Sequence, residues 1–78
     1  MIITKAIKTL TPKELQVFKL LVLTPHPRID IAPMVKLSPK TLNIYVDRIY
    51  KKLNKHSRVE LILWVVFFKL IETDDIRM

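Results

Sequence analysis

The most informative segment of the chain is a basic, amphipathic stretch over residues 38–53. Ser38 followed by Pro39 is typical of a helix start, because serine caps the first turn and proline fits the first helical position. Apolar residues at helical spacing then predict one buried face, made by Leu42, Val46, Ile49 and Leu53. The opposite face carries Lys40, Asn43, Ile44, Asp47, Arg48 and Lys51. A helix with this shape and charge can enter a groove of DNA.

The positive charge of the chain is concentrated around this helix. The 78 residues have a formal net charge of +7. Residues 36–58 contain seven basic residues and one acidic residue, whereas residues 59–78 contain two basic and four acidic residues. Such a patch is expected of a surface that binds phosphate groups. A solvated basic surface without a ligand is the simpler alternative.

Residues for catalysis or metal binding are scarce. Cysteine is absent, and His26 and His56 have no partners at ligand spacing, so we expect no metal site. The only serines are Ser38 and Ser57, which suggest no catalytic triad, and a chain without glycine cannot form a glycine-rich phosphate loop. We therefore expect neither enzymatic activity nor a cofactor.

The length of the chain indicates one small domain. Residues 1–8 lack the apolar core and cleavage site of a signal peptide. The apolar run over residues 61–68 is well short of the ~20 residues that span a bilayer. We therefore expect a cytoplasmic protein that makes no membrane contact.

The sequence predicts an all-α fold with four helices, approximately over residues 12–23 (α1), 31–36 (α2), 39–53 (α3) and 58–72 (α4). Capping boxes at Thr11 to Glu14 and at Ser57 to Glu60 begin α1 and α4. In α2, Asp30 is the expected N-cap, which puts Pro33 in the first turn. Residues 1–9 and 73–78 are expected to be tails, and residues 10–72 the domain. Without glycine, turns are expected to use proline, asparagine, aspartate, serine or threonine.

Helix α4 has more apolar surface than its own domain needs. One face is expected to pack inward through Leu61, Trp64, Val65 and Phe68. A second face, made by Leu63, Val66, Phe67 and Leu70, is expected to bury a partner, because small soluble domains rarely leave such a patch exposed. Complete enclosure of α4 within the domain is the alternative.

The order of these residues resembles the LuxR/FixJ-type (GerE-like) helix-turn-helix domain over about residues 10–70. The matching positions are Leu10 to Glu14, Val17, Leu20, Leu21, Ile31, Ala32, Ser38, Lys40 to Leu42, Val46, Ile49, Lys52, Leu53 and Ser57 to Leu61. The resemblance implies that α2 supports α3, that α3 reads the major groove of double-stranded DNA, and that α4 pairs with its copy in a homodimer. As only nine residues lead into the domain, we expect a stand-alone protein without a receiver or ligand-sensing domain.

The sequence departs from the family pattern in three places. The first is the turn that follows α1, the second is within α2, and the third is the reading face of α3. The turn after α1 is longer and rich in proline, and Pro33 replaces a basic or polar residue. The lysine-rich reading face of the family corresponds here to Asn43, Ile44 and Asp47, so the DNA sequence preferred by the family does not transfer.

We expect these three residues to contact bases. The Asn43 amide matches N6 and N7 of adenine, Ile44 suits a thymine methyl, and Asp47 could accept a hydrogen bond from cytosine N4. The alternatives are an ordinary surface residue for Asn43, peripheral core for Ile44, and an i,i+4 pair with Lys51 for Asp47.

Other residues are expected to contact the DNA backbone, which positions a protein without specifying sequence. They are Lys40, Thr41, Arg48, Lys51, Lys52, Lys55 and Arg58. The combined interpretation is a DNA-binding transcription regulator. The alternative is a helix-turn-helix interaction protein whose α4 binds RNA polymerase, a sigma factor or a larger regulator, with DNA contact secondary.

Overall fold

A computed structural model describes residues 7–68, which form four α-helices and no strand. The helices are α1 (Pro12–Leu23), α2 (Arg28–Met34), α3 (Pro39–Leu53) and α4 (Arg58–Phe68). Helix α1 packs against α3 and α4, and α2 packs against α3. The predicted all-α fold is confirmed. Residues 69–72, predicted to extend α4, lie outside the described residues.

The helices begin where short polar side chains satisfy their free amides. Thr11 and Glu14 form the expected capping box, with hydrogen bonds of 3.0 and 3.2 Å. Ser38 Oγ accepts from the Thr41 amide at 3.2 Å and so caps α3. At α4, Ser57 Oγ accepts from the Glu60 amide, but the Glu60 carboxylate accepts from the His56 amide instead of that of Ser57.

Helix α2 begins three residues earlier than predicted. Pro27 is its N-cap, without a side-chain hydrogen bond, and the Pro27 carbonyl accepts from the amides of Asp30 and Ile31. Asp30 therefore lies in the first turn, where its negative charge interacts favourably with the helix dipole. Pro33 is the penultimate residue instead of a first-turn residue, and the helix ends at Met34, two residues before the predicted end, where the left-handed Lys36 closes the turn.

The core forms along the predicted inner faces of the helices. All four expected residues of α3 are buried, as are Leu61 and Val65 of α4. Among the described residues, the buried apolar side chains are Leu10, Val17, Phe18, Leu21, Ile31, Ala32, Val35, Leu42, Val46, Ile49, Leu53, Leu61 and Val65. Trp64 is partly buried against this core, and so are Tyr45 and Tyr50. Burial of one side of α3 leaves its other side free to contact a ligand.

Two helix ends use left-handed residues other than glycine. After α2, Lys36 has a φ of 58°, and the amides of Lys36 and Leu37 donate to the carbonyls of Pro33 and Ala32. After α3, Asn54 has a φ of 56° and a similar pair of hydrogen bonds. Both are Schellman-type ends, for which glycine is the usual residue. Lys36 was not expected in this role, since only five other residue types were predicted to make turns.

Candidate nucleic-acid interface

The outward face of α3 is the most prominent polar surface in the described residues. Leu42, Val46, Ile49 and Leu53 anchor the helix to the core, so the opposite side of the helix is accessible to solvent. Asn43, Ile44 and Asp47 are all exposed on this face, and Ile44 is 45% exposed. The three predicted base-contacting residues therefore share one accessible surface.

Asn43 is linked to the helix that supports α3. Its Oδ1 accepts a hydrogen bond of 2.8 Å from Nη1 of Arg28, the first residue of α2. Both side chains are exposed. The exposed face of α3 is therefore extended by a residue of α2, and Arg28 was not among the residues that sequence reasoning selected.

Asp47 lies at the edge of a surface depression near the C-terminal end of α3. Within residues 7–68 no ion pair joins Asp47 to Lys51, so the alternative i,i+4 pair is not formed. The depression has a volume of about 430 Å³ and is lined by Asp47, Tyr50, Lys51, Asn54, Lys55 and His56. Its charged side chains are two lysines and one aspartate, so the net positive charge of the depression favours an anion over a cation.

The predicted phosphate contacts divide into free and engaged side chains. Lys40, Arg48 and Lys51 are exposed, and none of them has a hydrogen-bond or ion-pair partner within residues 7–68. The hydroxyl of Thr41 accepts from Ser38 Oγ at 3.0 Å near the start of α3. Lys55 places its Nζ over the Trp64 ring, 4.8 Å from the ring centroid, in a cation–π contact.

Lys52 is engaged in an internal ion pair with Glu14. Its Nζ lies 2.7 Å from Glu14 Oε1 and also donates to the Thr9 carbonyl at 3.0 Å. Burial raises the pKa of Glu14, but hydrogen bonds from Lys52 and the Thr11 amide, with the charges of Lys52 and Arg48, outweigh it, so the pKa lies below its usual value. Lys52 therefore joins α3 to the first turn of α1, a structural contact that the sequence did not predict.

Arg58 is also engaged within the fold. Its guanidinium donates to the carbonyls of Leu21, His26 and Thr24 at 2.7, 2.6 and 2.8 Å. A fourth, longer hydrogen bond of 3.4 Å reaches Leu20. These carbonyls belong to the end of α1 and the turn that follows, where a cation is favourable. Arg58 therefore fixes this turn, a second structural contact that the sequence did not predict.

The sequence did contain a signal for such contacts. Helix α1 has no basic residue in its last turn and no glycine after it, so its terminal carbonyls require partners from elsewhere. A comparable contact closes α2, because Lys13 Nζ donates to the Val35 carbonyl at 2.9 Å. In this glycine-free chain, cations from distant positions satisfy helix ends.

Helix α4 presents an apolar strip to solvent. Leu63, Val66 and Phe67 are 51, 56 and 77% exposed, and Val59 on the same helix is 63% exposed. Leu70, the fourth predicted interface residue, lies outside the described residues. The inner and outer faces of α4 thus differ as predicted where they can be compared, since Leu61 and Val65 are buried.

Two other kinds of site are absent from residues 7–68. Within residues 7–68, no group of three or more histidine, cysteine, aspartate or glutamate side chains could hold a metal ion. In this part of the chain, no helix has both the length and the apolar character needed to cross a membrane. The exposed face of α3 and the apolar strip of α4 are both accessible to a ligand or a partner.

A family comparison agrees with this arrangement. The profile of the family described as bacterial regulatory proteins, luxR family (GerE), matches residues 8–65. The matched segment includes all of α1, α2 and α3 and most of α4. The chain belongs to this family of DNA-binding transcription regulators, which is a regulatory and not an enzymatic family. Comparisons with curated proteins and with solved structures gave no match.

Proposed function

We propose that the protein regulates transcription by binding a specific double-stranded DNA site as a homodimer, with α3 in the major groove. The observation that carries this proposal is the exposed face of α3, on which Asn43, Ile44 and Asp47 are accessible together. An α-helix fits the major groove, where base edges present distinct hydrogen-bonding patterns. Family membership supports the DNA-binding part of the proposal.

The proposed phosphate contacts are one threonine and four cations around this face, of which Lys55 also makes the cation–π contact with Trp64. Lys40 and Thr41 lie at the start of α3, where amides and the helix dipole favour an anion. Arg48, Lys51 and Lys55 follow along the helix and the next turn. Lys52 and Arg58 are not proposed as phosphate contacts. To bind a phosphate, they would have to break their hydrogen bonds with Glu14 and with the α1 carbonyls, which stabilise the fold.

The proposed dimer interface is the apolar strip of α4, with Leu63, Val66 and Phe67 extended by Leu70. In a two-fold dimer the same patch meets itself, and Leu63, Val66 and Phe67 are all apolar, so no like charges among these three would face each other. Pairing would bury apolar surface that is costly to leave in water. It would also present two reading helices to half-sites about one DNA turn apart.

Selection from a random-sequence pool of duplex DNA tests this function. We expect the full chain to enrich a site with two related half-sites, since a two-fold dimer reads a two-fold sequence. Enrichment of a single half-site would contradict the homodimer, but it would still support sequence-specific DNA binding. Recovery of sequences no different from the starting pool would contradict sequence-specific binding.

A second candidate function is binding to a protein of the transcription machinery through α4. The 77% exposure of Phe67 favours it, because a large exposed aromatic residue is a frequent anchor of protein interfaces. The two functions differ in the oligomeric state of the isolated protein. A homodimer at micromolar concentration favours the first function, whereas a monomer that pairs only with another protein favours the second.

A further inference from the structure

The hydrogen bond between Arg28 and Asn43 fixes the orientation of the Asn43 amide. A guanidinium group has donors only, so the group that faces it at 2.8 Å must be the acceptor, Oδ1. The amide nitrogen, Nδ2, then points away from Arg28. Because both side chains are exposed, this oriented amide lies on the accessible face of α3.

We propose that Arg28 determines base preference through Asn43, so that the pair reads guanine and not adenine. This inference rests on the proposed major-groove binding by α3. A free asparagine reads adenine by donating to N7 and accepting from N6. With Oδ1 already bonded to Arg28, Asn43 offers mainly the two donors of Nδ2. Guanine matches them, because N7 and O6 are both acceptors on its major-groove edge.

The environment of Arg28 supports a role at this site. Within residues 7–68 the guanidinium makes no ion pair, and the hydrogen bond to Asn43 is the one hydrogen bond that it forms. Its remaining donors are available beside the amide. The two side chains thus form a surface rich in donors, which favours a base edge rich in acceptors.

Arg28 is a positioning residue in this proposal, because it orients Asn43. The alternative role is direct contact with a DNA phosphate. A phosphate contact lowers affinity for every DNA sequence alike. A residue that orients Asn43 changes the preference at one base pair. The two roles therefore predict different results for the same substitution.

The experiment measures binding of the full chain to four duplexes that differ only at the base pair read by Asn43. That pair is identified as the position whose preference is relaxed by Asn43→Ala. We expect the wild-type protein to prefer guanine over adenine by about tenfold or more. In Arg28→Met the amide can rotate, and the ratio should fall to about threefold or less.

Two further variants separate positioning from charge. Lys51→Met removes a free positive charge elsewhere on α3, so it should weaken all four duplexes equally and retain the guanine preference. In the Asn43→Ala background, adding Arg28→Met should not alter the base preference any further. Circular dichroism checks that each variant keeps the helical content of the wild type.

Three outcomes would overturn the inference. A wild-type preference for adenine would show that the amide is not held as a donor. An Arg28→Met variant that behaves like Lys51→Met would make Arg28 a phosphate contact only. If the protein binds none of the duplexes at low salt, the proposed function itself fails and this inference fails with it, whereas the first two outcomes leave DNA binding intact.

Discussion

Lys52 Nζ and Glu14 Oε1 lie 2.7 Å apart, and this ion pair joins the last turn of α3 to the first turn of α1. The same carboxylate accepts from the Thr11 amide and completes the α1 cap. Glu14 is the one charged side chain within residues 7–68 that is buried. A single acidic group therefore fixes both the start of α1 and the position of the proposed reading helix.

The first prediction concerns the dependence of stability on pH. Because the pKa of Glu14 is lowered in the folded state, its contribution is complete above the ordinary carboxyl pKa and is lost as the pH falls through the lowered value. Glu14→Gln should lower the free energy of unfolding by about 1–3 kcal/mol at neutral pH. Urea denaturation at neutral and acidic pH should show that the difference from wild type shrinks in acid.

The neighbouring lysines provide a matched control for the ion pair. Lys52→Met should destabilise the fold, because it leaves a buried carboxylate without its partner. Lys51→Met, next to it in sequence but exposed, should change the free energy of unfolding by less than about 0.5 kcal/mol. Equal effects of the two substitutions would show that the ion pair does not stabilise the fold.

The second prediction concerns Arg58 as a support for the end of α1. Arg58→Met should lower the free energy of unfolding by about 2–4 kcal/mol, because several carbonyls lose a charged donor. Arg58→Lys should recover only part of this loss, since an ammonium group cannot reproduce the planar fork of donors. Thermal denaturation measures both. Unchanged stability with weakened DNA binding would instead make Arg58 a phosphate contact.

The third prediction concerns the left-handed turn between α2 and α3. Lys36→Gly should stabilise the protein by about 1 kcal/mol, because the φ of 58° penalises a residue with a side chain. Lys19→Gly, on the exposed side of α1, should destabilise it by about 1 kcal/mol. Chemical denaturation of both variants tests the turn. Destabilisation by Lys36→Gly would show that the lysine side chain contributes more than its backbone strain costs.

The fourth prediction concerns the apolar strip of α4. Phe67→Glu should give a folded monomer, because two copies of the new charge would face each other across the dimer axis. Leu61→Glu, on the buried face of the same helix, should instead unfold the domain. Sedimentation and circular dichroism distinguish these results. Unfolding of the Phe67 variant would mean that this residue belongs to the core of the folded protein.

Local signals in the sequence were sufficient for much of the fold. Caps at Thr11 and Ser38, each followed by proline, fixed the starts of α1 and α3 as predicted. The start of α2 was missed because Pro27 caps it through a backbone carbonyl, with no side-chain signal. Short-range patterns identify helix ends only when a side chain marks them.

The candidate site was less predictable, because it depends on contacts between distant residues. The exposed side of α3 followed from apolar spacing, but spacing does not reveal where a long cationic side chain ends. Arg58 contacts a carbonyl 37 residues away, and Arg28 contacts an amide 15 residues away. Counting charge therefore located the basic region without separating its free cations from those that hold the fold.

The salt dependence of duplex binding tests the central claim most directly. Affinity of the full chain for its selected site should fall steeply between about 50 and 200 mM salt, with a slope of log K near −0.9 per phosphate neutralised. Lys51→Glu should weaken binding to all sequences and make the slope shallower by about one contact. Binding that does not change with salt, or no binding at the lowest salt, would contradict a DNA-binding role for this surface.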